Sequence, residues 1–242
     1  MAPAGSDIVR GTLRRLGLEV HRYPGPGSLL DVTGKVIARH QIDLVLDVGA
    51  NVGQYATAMR GSGYRGRIVS IEPVPEAFAR LQAAAASDAA WDVRQLALGA
   101  EAGELELNVA ASTSVSSFLR PTDDYVAGYA DGRTIRQEPV VVARLDEVID
   151  DLAGSAQRIL LKCDTQGFDL EVIRGAAGVL DRIVAIQSEL SIRPIYDRMT
   201  GYLDAIAEIQ GLGYDPVGFF TVVSDADLRA VEIDGLFTRV ER

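Results

Sequence analysis

The run LVLDVGANVGQY, Leu44 to Tyr55, constrains the fold more than any other stretch of the chain. Its opening residues are apolar without alternation, so the strand they form must be covered on both faces. The strand ends at Asp47, a turn carries Gly49 and Gly53, and a helix opens near Val52. Gly49 allows close approach of the backbone to a ligand, Gly53 allows tight packing at the helix start, and Asn51 tolerates an unusual turn conformation. In sheets of this kind ligands sit beyond the carboxyl ends of the strands, where this turn lies. A βα turn with no ligand can use the same residues, so the turn alone does not assign a site.

From Asp43 onward, strand and helix signals alternate. Short β-branched runs recur at Leu44–Val48, Arg67–Ile71, Val140–Ala143, Ile159–Cys163 and Ile183–Ser188. Between several of them lie Ala- and Leu-rich stretches such as Glu76–Ala86, Phe168–Ile173 and Tyr202–Leu212. This alternation predicts parallel strands with right-handed crossovers, a doubly wound, Rossmann-like α/β fold. Tyr214–Val222 and Gly235–Val240 read as an antiparallel pair that closes one sheet edge. The first forty residues differ. Asp7 to Leu16 can form a short amphipathic helix capped by Ser6, and YPGPGS, Tyr23 to Ser28, interrupts any regular element. The expected division is an N-terminal arm or lid over residues 1–40, with a plain leader as the alternative, and one domain over residues 41–242.

Composition narrows the partners. At 48% hydrophobic residues over 242 positions, the chain can bury a substantial core. A formal net charge of −10 without a basic stripe argues against nucleic acid and against anionic membrane surfaces. The single cysteine, Cys163, excludes an internal disulfide and a cysteine-built zinc site. No apolar run approaches the roughly 18 residues of a membrane span, and the N-terminus lacks the uncharged core of a secretory signal. The expectation is a soluble cytoplasmic protein, with homodimerisation left open.

A second motif gives the glycine turn a chemical partner. The strand RIVSIEP ends in Glu72, 25 positions after Asp47. An acid about 20 residues beyond such a turn, at the tip of the second strand, can hold both hydroxyls of a ribose. Pro73 and Pro75 then stop the strand and start a helix. The glycine spacing is not GxGxxG, and Asp47 would repel a pyrophosphate. S-adenosylmethionine, with an ammonium and a sulfonium beside its ribose, suits that charge better than NAD does.

Two further strands end in acids. RILLKCDTQGFDLEVIRGA places Lys162, Cys163 and Asp164 at a strand end before the turn Thr165-Gln166-Gly167, and IVAIQSELSIRPIYDR ends near Glu189. Four carboxylates at four strand tips, Asp47, Glu72, Asp164 and Glu189, describe a functional cleft better than four separate helix caps.

Together these segments, from about Asp43 to Phe220, resemble the FkbM family of methyltransferases. DVGANVGQY, IEP, KCDTQGFDLEVIRGA and QSELSIRPIY carry the resemblance, the third being the most specific. Gln166 stands where the family usually has an acid, and Asp169 where it usually has Glu. The resemblance implies methyl transfer to an oxygen of a small-molecule or glycan acceptor, a sugar, polyketide or other natural product. It implies that Asp47, Gly49, Asn51, Gly53, Gln54, Glu72 and Pro73 hold the cofactor, that Ala97 flanks the adenine, and that Ser116 and Ser117 lie near cofactor or acceptor.

An alcohol is a poor acid, so its deprotonation needs a base or a metal. Asp164 is the first candidate base, with Lys162 and Glu189 lining the same cleft. Asp164 and Glu189 could instead jointly hold Mg2+ through oxygen ligands. His21 could be carried over the cleft on the arm, His40 reads as a surface residue, and Arg193 and Tyr196 could bind acceptor hydroxyls. The alternatives are an NAD-dependent oxidoreductase, weakened by the missing GxGxxG, and a noncatalytic nucleoside-binding module.

Overall fold

The computed structural model describes Leu13 and residues 23–240. The expected helix around Asp7–Leu16, apart from Leu13, lies outside the described residues, as does His21. In chain order the strands are β1 (Leu44–Val48), β2 (Arg67–Ile71), β3 (Trp91–Arg94), β4 (Ala97–Leu98), β5 (Gly103–Ala110), β6 (Thr134–Ala143), β7 (Ile159–Cys163), β8 (Ile183–Ser191), β9 (Tyr214–Ser224) and β10 (Ala230–Arg239). The α-helices are α1 (Leu29–His40), α2 (Gln54–Gly61), α3 (Pro75–Ala85), α4 (Asp123–Gly128), α5 (Leu145–Ala153), α6 (Asp169–Arg174) and α7 (Tyr202–Gly211).

Seven strands form the main sheet in the order β3-β2-β1-β7-β8-β10-β9. The first five are parallel, and β10 runs antiparallel between β8 and β9. The central strands are mostly apolar because each of their faces meets helices. Leu44, Leu46 and Val48 pack in a cluster with residues of α5, α6 and α7. Val45, one position out of phase, packs on the other face with residues of α1, α2 and α3. Strand period two therefore splits β1 between two cores.

Two sequence expectations are revised. Val140–Ala143 does not join the main sheet. It belongs to β6, which pairs with β4 and β5 in a separate three-stranded sheet. There Val142 is 2% exposed and Val141 65%, because only one face of β6 is covered. Residues 29–40, assigned to the arm, form α1 instead. Ser28 accepts from the N–H of Asp31 and caps that helix, so the proline–glycine run leads directly into it. Thr33 and Val36 are buried against the sheet. Among the described residues no helix is long and apolar enough to cross a membrane.

Candidate active site

Sheet register assembles the site in two polar rows. Asp47 lies beside Ser70 on β2 and Lys162 on β7, and Lys162 lies beside Gln187 on β8. Neighbours in register share a face of the sheet, so these four side chains meet beneath the strand ends. Lys162 Nζ stands 3.0 Å from Asp47 Oδ1 and 5.2 Å from the centre of the Tyr55 ring. Ser70 donates to Asp47 at 3.0 Å and accepts from the Trp91 indole at 3.0 Å. Burial alone would lower the Lys162 pKa, but Asp47 and Asp164 outweigh it and raise it. Lys162 is therefore a fixed cation and not a proton acceptor.

Two residues further along, the same register brings Glu72, Gly49, Asp164, Glu189 and Asp234 to the rim. Asp234 pairs directly with Glu189, and Glu232 follows two positions before it on β10. Gly49 sits between β2 and β7 with φ +76, and a Cβ there would lie 1.9 Å from the Asp164 carbonyl oxygen. The glycine is required by this strand-end crossing as much as by any ligand. A Cβ on Gly53, φ +91, would lie 2.9 Å from the Trp91 ring.

A cleft of about 530 Å³ opens above this row. The glycine turn and Glu72 form one wall, Ala97 and Leu98 the back, the Thr113–Phe118 loop the roof, and Asp164–Gln166 the far end. Glu72 is buried and accepts from the N–H groups of Asn51 and Val74, both at 2.8 Å. Burial nevertheless pushes its carboxyl up to about 7. Asn51, at φ +46, accepts from the Thr113 hydroxyl at 3.0 Å, which ties the roof to the turn.

Of the residues expected at the cofactor, Gly49, Asn51, Glu72, Pro73, Ala97 and Ser117 line this cleft. Asp47 does not: it is fully buried and paired with Lys162. Gly53 is packed under Trp91, and Gln54 is exposed at the start of α2, accepting from the Val52 N–H. The Ser117 hydroxyl is engaged by the Gln166 carbonyl at 2.7 Å and the Leu119 N–H at 3.0 Å, and Ser116 accepts from the Ala110 N–H.

At the far end, Asp164 is 39% exposed and opens onto the cleft. Its Oδ2 faces Lys162 Nζ at 3.4 Å, and its Oδ1 accepts from Gln166 Nε2 at 3.0 Å. The same nitrogen donates to Glu189 Oε2 at 2.9 Å. Burial, then the nearby Asp164, pushes the Glu189 carboxyl well above its ordinary value. Asp234 is pushed up to about 6, again by burial and then Asp164. Asp169, in contrast, is fully engaged below the rim by Thr165, the Ser188 hydroxyl and the Glu189 N–H.

An amide donor placed between Asp164 and Glu189 does not suit a cation held by both. Among the described residues no group of three or more His, Cys, Asp or Glu is arranged to hold a metal ion. The expected Mg2+ site is not supported. Tyr196 is buried and donates its hydroxyl toward Gln166 and the Val115 carbonyl, whereas Arg193 pairs with Asp225 on the far hairpin. His40 ends α1, away from the cleft. Sequence reasoning missed Gln187, Glu232 and Asp234, which the pairing of β8 with β7 and of β10 with β8 aims here, and Tyr55, which the start of α2 sets against Gln187 and Lys162.

A family model described as the methyltransferase FkbM domain matches residues 47–216. No curated protein matches the chain. Among solved structures, a TehB-like SAM-dependent methyltransferase from Corynebacterium glutamicum is 11% identical, with 99% of this chain and 100% of that one covered and a TM-score of 0.45. Aeropyrum pernix fibrillarin with natively bound S-adenosyl-L-methionine is 13% identical, covering 81% and 66%, with a TM-score of 0.46. An rRNA methylase from Streptococcus thermophilus is 11% identical, covering 88% and 96%, also at 0.46.

Proposed function

Because the chain belongs to the FkbM methyltransferase family, we propose that it transfers the methyl group of S-adenosylmethionine to a hydroxyl oxygen of a sugar, oligosaccharide or other natural product. The observation that carries this reading is one cleft with Glu72 beside the glycine turn at one end and the half-open Asp164 at the other. Carboxylates at both ends suit a ligand with a ribose, an ammonium and a sulfonium. Glu72 would accept the ribose hydroxyls, and Ala97 and Leu98 would face the adenine.

Bound S-adenosylmethionine supplies an electrophilic methyl carbon whose sulfur departs as a neutral thioether. The protein's part is to align the acceptor and take its proton. Asp164 would accept the hydroxyl proton as the oxygen–carbon bond forms, and Lys162 keeps a positive charge beneath it. Binding can be tested by calorimetry, and transfer by labelled methyl incorporation across a panel of sugar and polyketide hydroxyl acceptors. In Asp164→Asn turnover is expected to fall by about 10²–10⁴, far more than the affinity for S-adenosylmethionine. Wild-type turnover in that variant would remove Asp164 from the chemistry, and absence of S-adenosylmethionine binding would overturn the reading.

A further inference from the structure

Gln166 occupies the position where the FkbM motif usually carries an acid, and both polar atoms of its side chain are engaged. Its backbone is left-handed at φ +55, a conformation uncommon for a side chain of this length. Nε2 reaches Asp164 Oδ1 at 3.0 Å and Glu189 Oε2 at 2.9 Å, Oε1 faces the Tyr196 hydroxyl at 3.0 Å, and the main-chain oxygen accepts from Ser117 at 2.7 Å. The amide orientation follows from its neighbours: an ionised Asp164 carboxylate only accepts, so the NH2 must face it, and the same nitrogen then meets Glu189.

The surroundings make that amide consequential. Asp164 is faced by Lys162 at the end of β7, Glu189 on β8, Tyr196 beyond it, Glu232 and Asp234 on β10, and Asp169 on α6. Among the described residues the one cation against Asp164 is Lys162, and its shorter contact is with Asp47. Among the described residues Gln166 is the one side-chain donor to the Glu189 carboxyl. Two oxygens sharing one nitrogen lie within about 6 Å of each other, close enough that both carboxylates cannot ionise cheaply.

We propose that Gln166 is a positioning residue for methyl transfer, its carboxamide joining Asp164 and Glu189 into one unit whose negative charge rests on Asp164 and whose neutral member is Glu189. Asp164 has the ammonium and the open side, whereas Glu189 is the more enclosed and stands among the other acids. A glutamate at 166 would replace the shared donor with one further acceptor oxygen and add a negative charge. This rests on the reading of Asp164 as the proton acceptor.

The test is a carboxyl-carbon NMR titration of the full-length chain, with signals assigned through Asp164→Asn and Glu189→Gln. In the wild type, Glu189 is expected to stay protonated well above the ordinary range of a glutamate. In Gln166→Glu, Glu189 should titrate about one unit higher still, because its donor is lost and an added like charge disfavours its ionised form. Gln166→Asn, too short to reach both carboxylates, should move it in the same direction by less. If Gln166→Glu does not fold, Gln166→Asn carries the test. A Glu189 titration unchanged in the variants, or Glu189 as the ionised member of the wild-type pair, would overturn the proposal. The titration needs neither S-adenosylmethionine nor an acceptor. Failure of S-adenosylmethionine to bind in a parallel calorimetric run would count against the methyl-transfer reading alone.

Discussion

Glu72 meets two backbone N–H groups with its two oxygens and still ionises only near pH 7, because burial outweighs both bonds. Each carboxylate oxygen retains a second lone pair for a ribose hydroxyl. Loss of such charge-assisted bonds costs roughly 1.5–3 kcal/mol, so Glu72→Ala should weaken S-adenosylmethionine binding about ten- to a hundredfold. The ionised form is the better acceptor, so wild-type affinity should fall as pH drops below about 7. Calorimetry between pH 6 and 8.5 checks this, and Glu72→Gln should flatten the dependence. A wild-type affinity independent of pH would show that the ribose does not bind through this carboxylate.

At the scale of elements, the site exists because the turn after β1 crosses closely against the end of β7. That crossing needs Gly49: a side chain there would meet the Asp164 carbonyl in a left-handed backbone conformation. Gly49→Ala should cost at least the roughly 1–3 kcal/mol of backbone strain, and it should displace both the glycine turn and Asp164. A lower denaturation midpoint together with weaker S-adenosylmethionine binding is the expected pair of results. Retention of both would mean that the two turns can separate freely. The second sheet acts differently. Leu107 and Val109 of β5 pack with Val74 and Ala77 at the start of α3, which holds the roof of the cleft to its wall.

For the whole molecule, the carboxylates with raised pKa govern stability near neutrality. Glu72 at about 7, Asp234 at about 6 and Glu189, also raised, bind protons in the folded state at pH values where the unfolded chain has released them. Stability should therefore fall as pH rises from about 4.5 through 7 and level off above it. Asp31, Asp88, Asp146 and Asp225, paired near the surface, titrate below the usual range and affect only more acidic conditions. Acidification also relieves the self-repulsion of a net charge of −10. The ligand-free protein should melt several degrees higher at pH 5.5 than at pH 8, at about 2–4 °C per kcal/mol for a chain of this size. A melting temperature that rises toward pH 8 would place ionised, well-paired carboxylates in this cluster instead.

Local sequence determined the parallel core and the position of the cleft. Leu44–Val48, Arg67–Ile71 and Ile159–Cys163 match their observed strands because a strand covered on both faces must be largely apolar and does not alternate. The glycine turn, Glu72 and Asp164 were legible for a related reason, since each marks where such a strand stops. Strands covered on one face have no such signature, so Val140–Ala143 read as core although it belongs to the outer sheet. The partner of each charge was not legible either. Asp47 resembles a ligand-binding acid until register sets Lys162 and Ser70 beside it, and Asp234 joins the rim from a strand far along the chain. Residue type and spacing report which side chains can carry charge, but the energy of a buried charge depends on neighbours that only the folded sheet brings within a few ångströms.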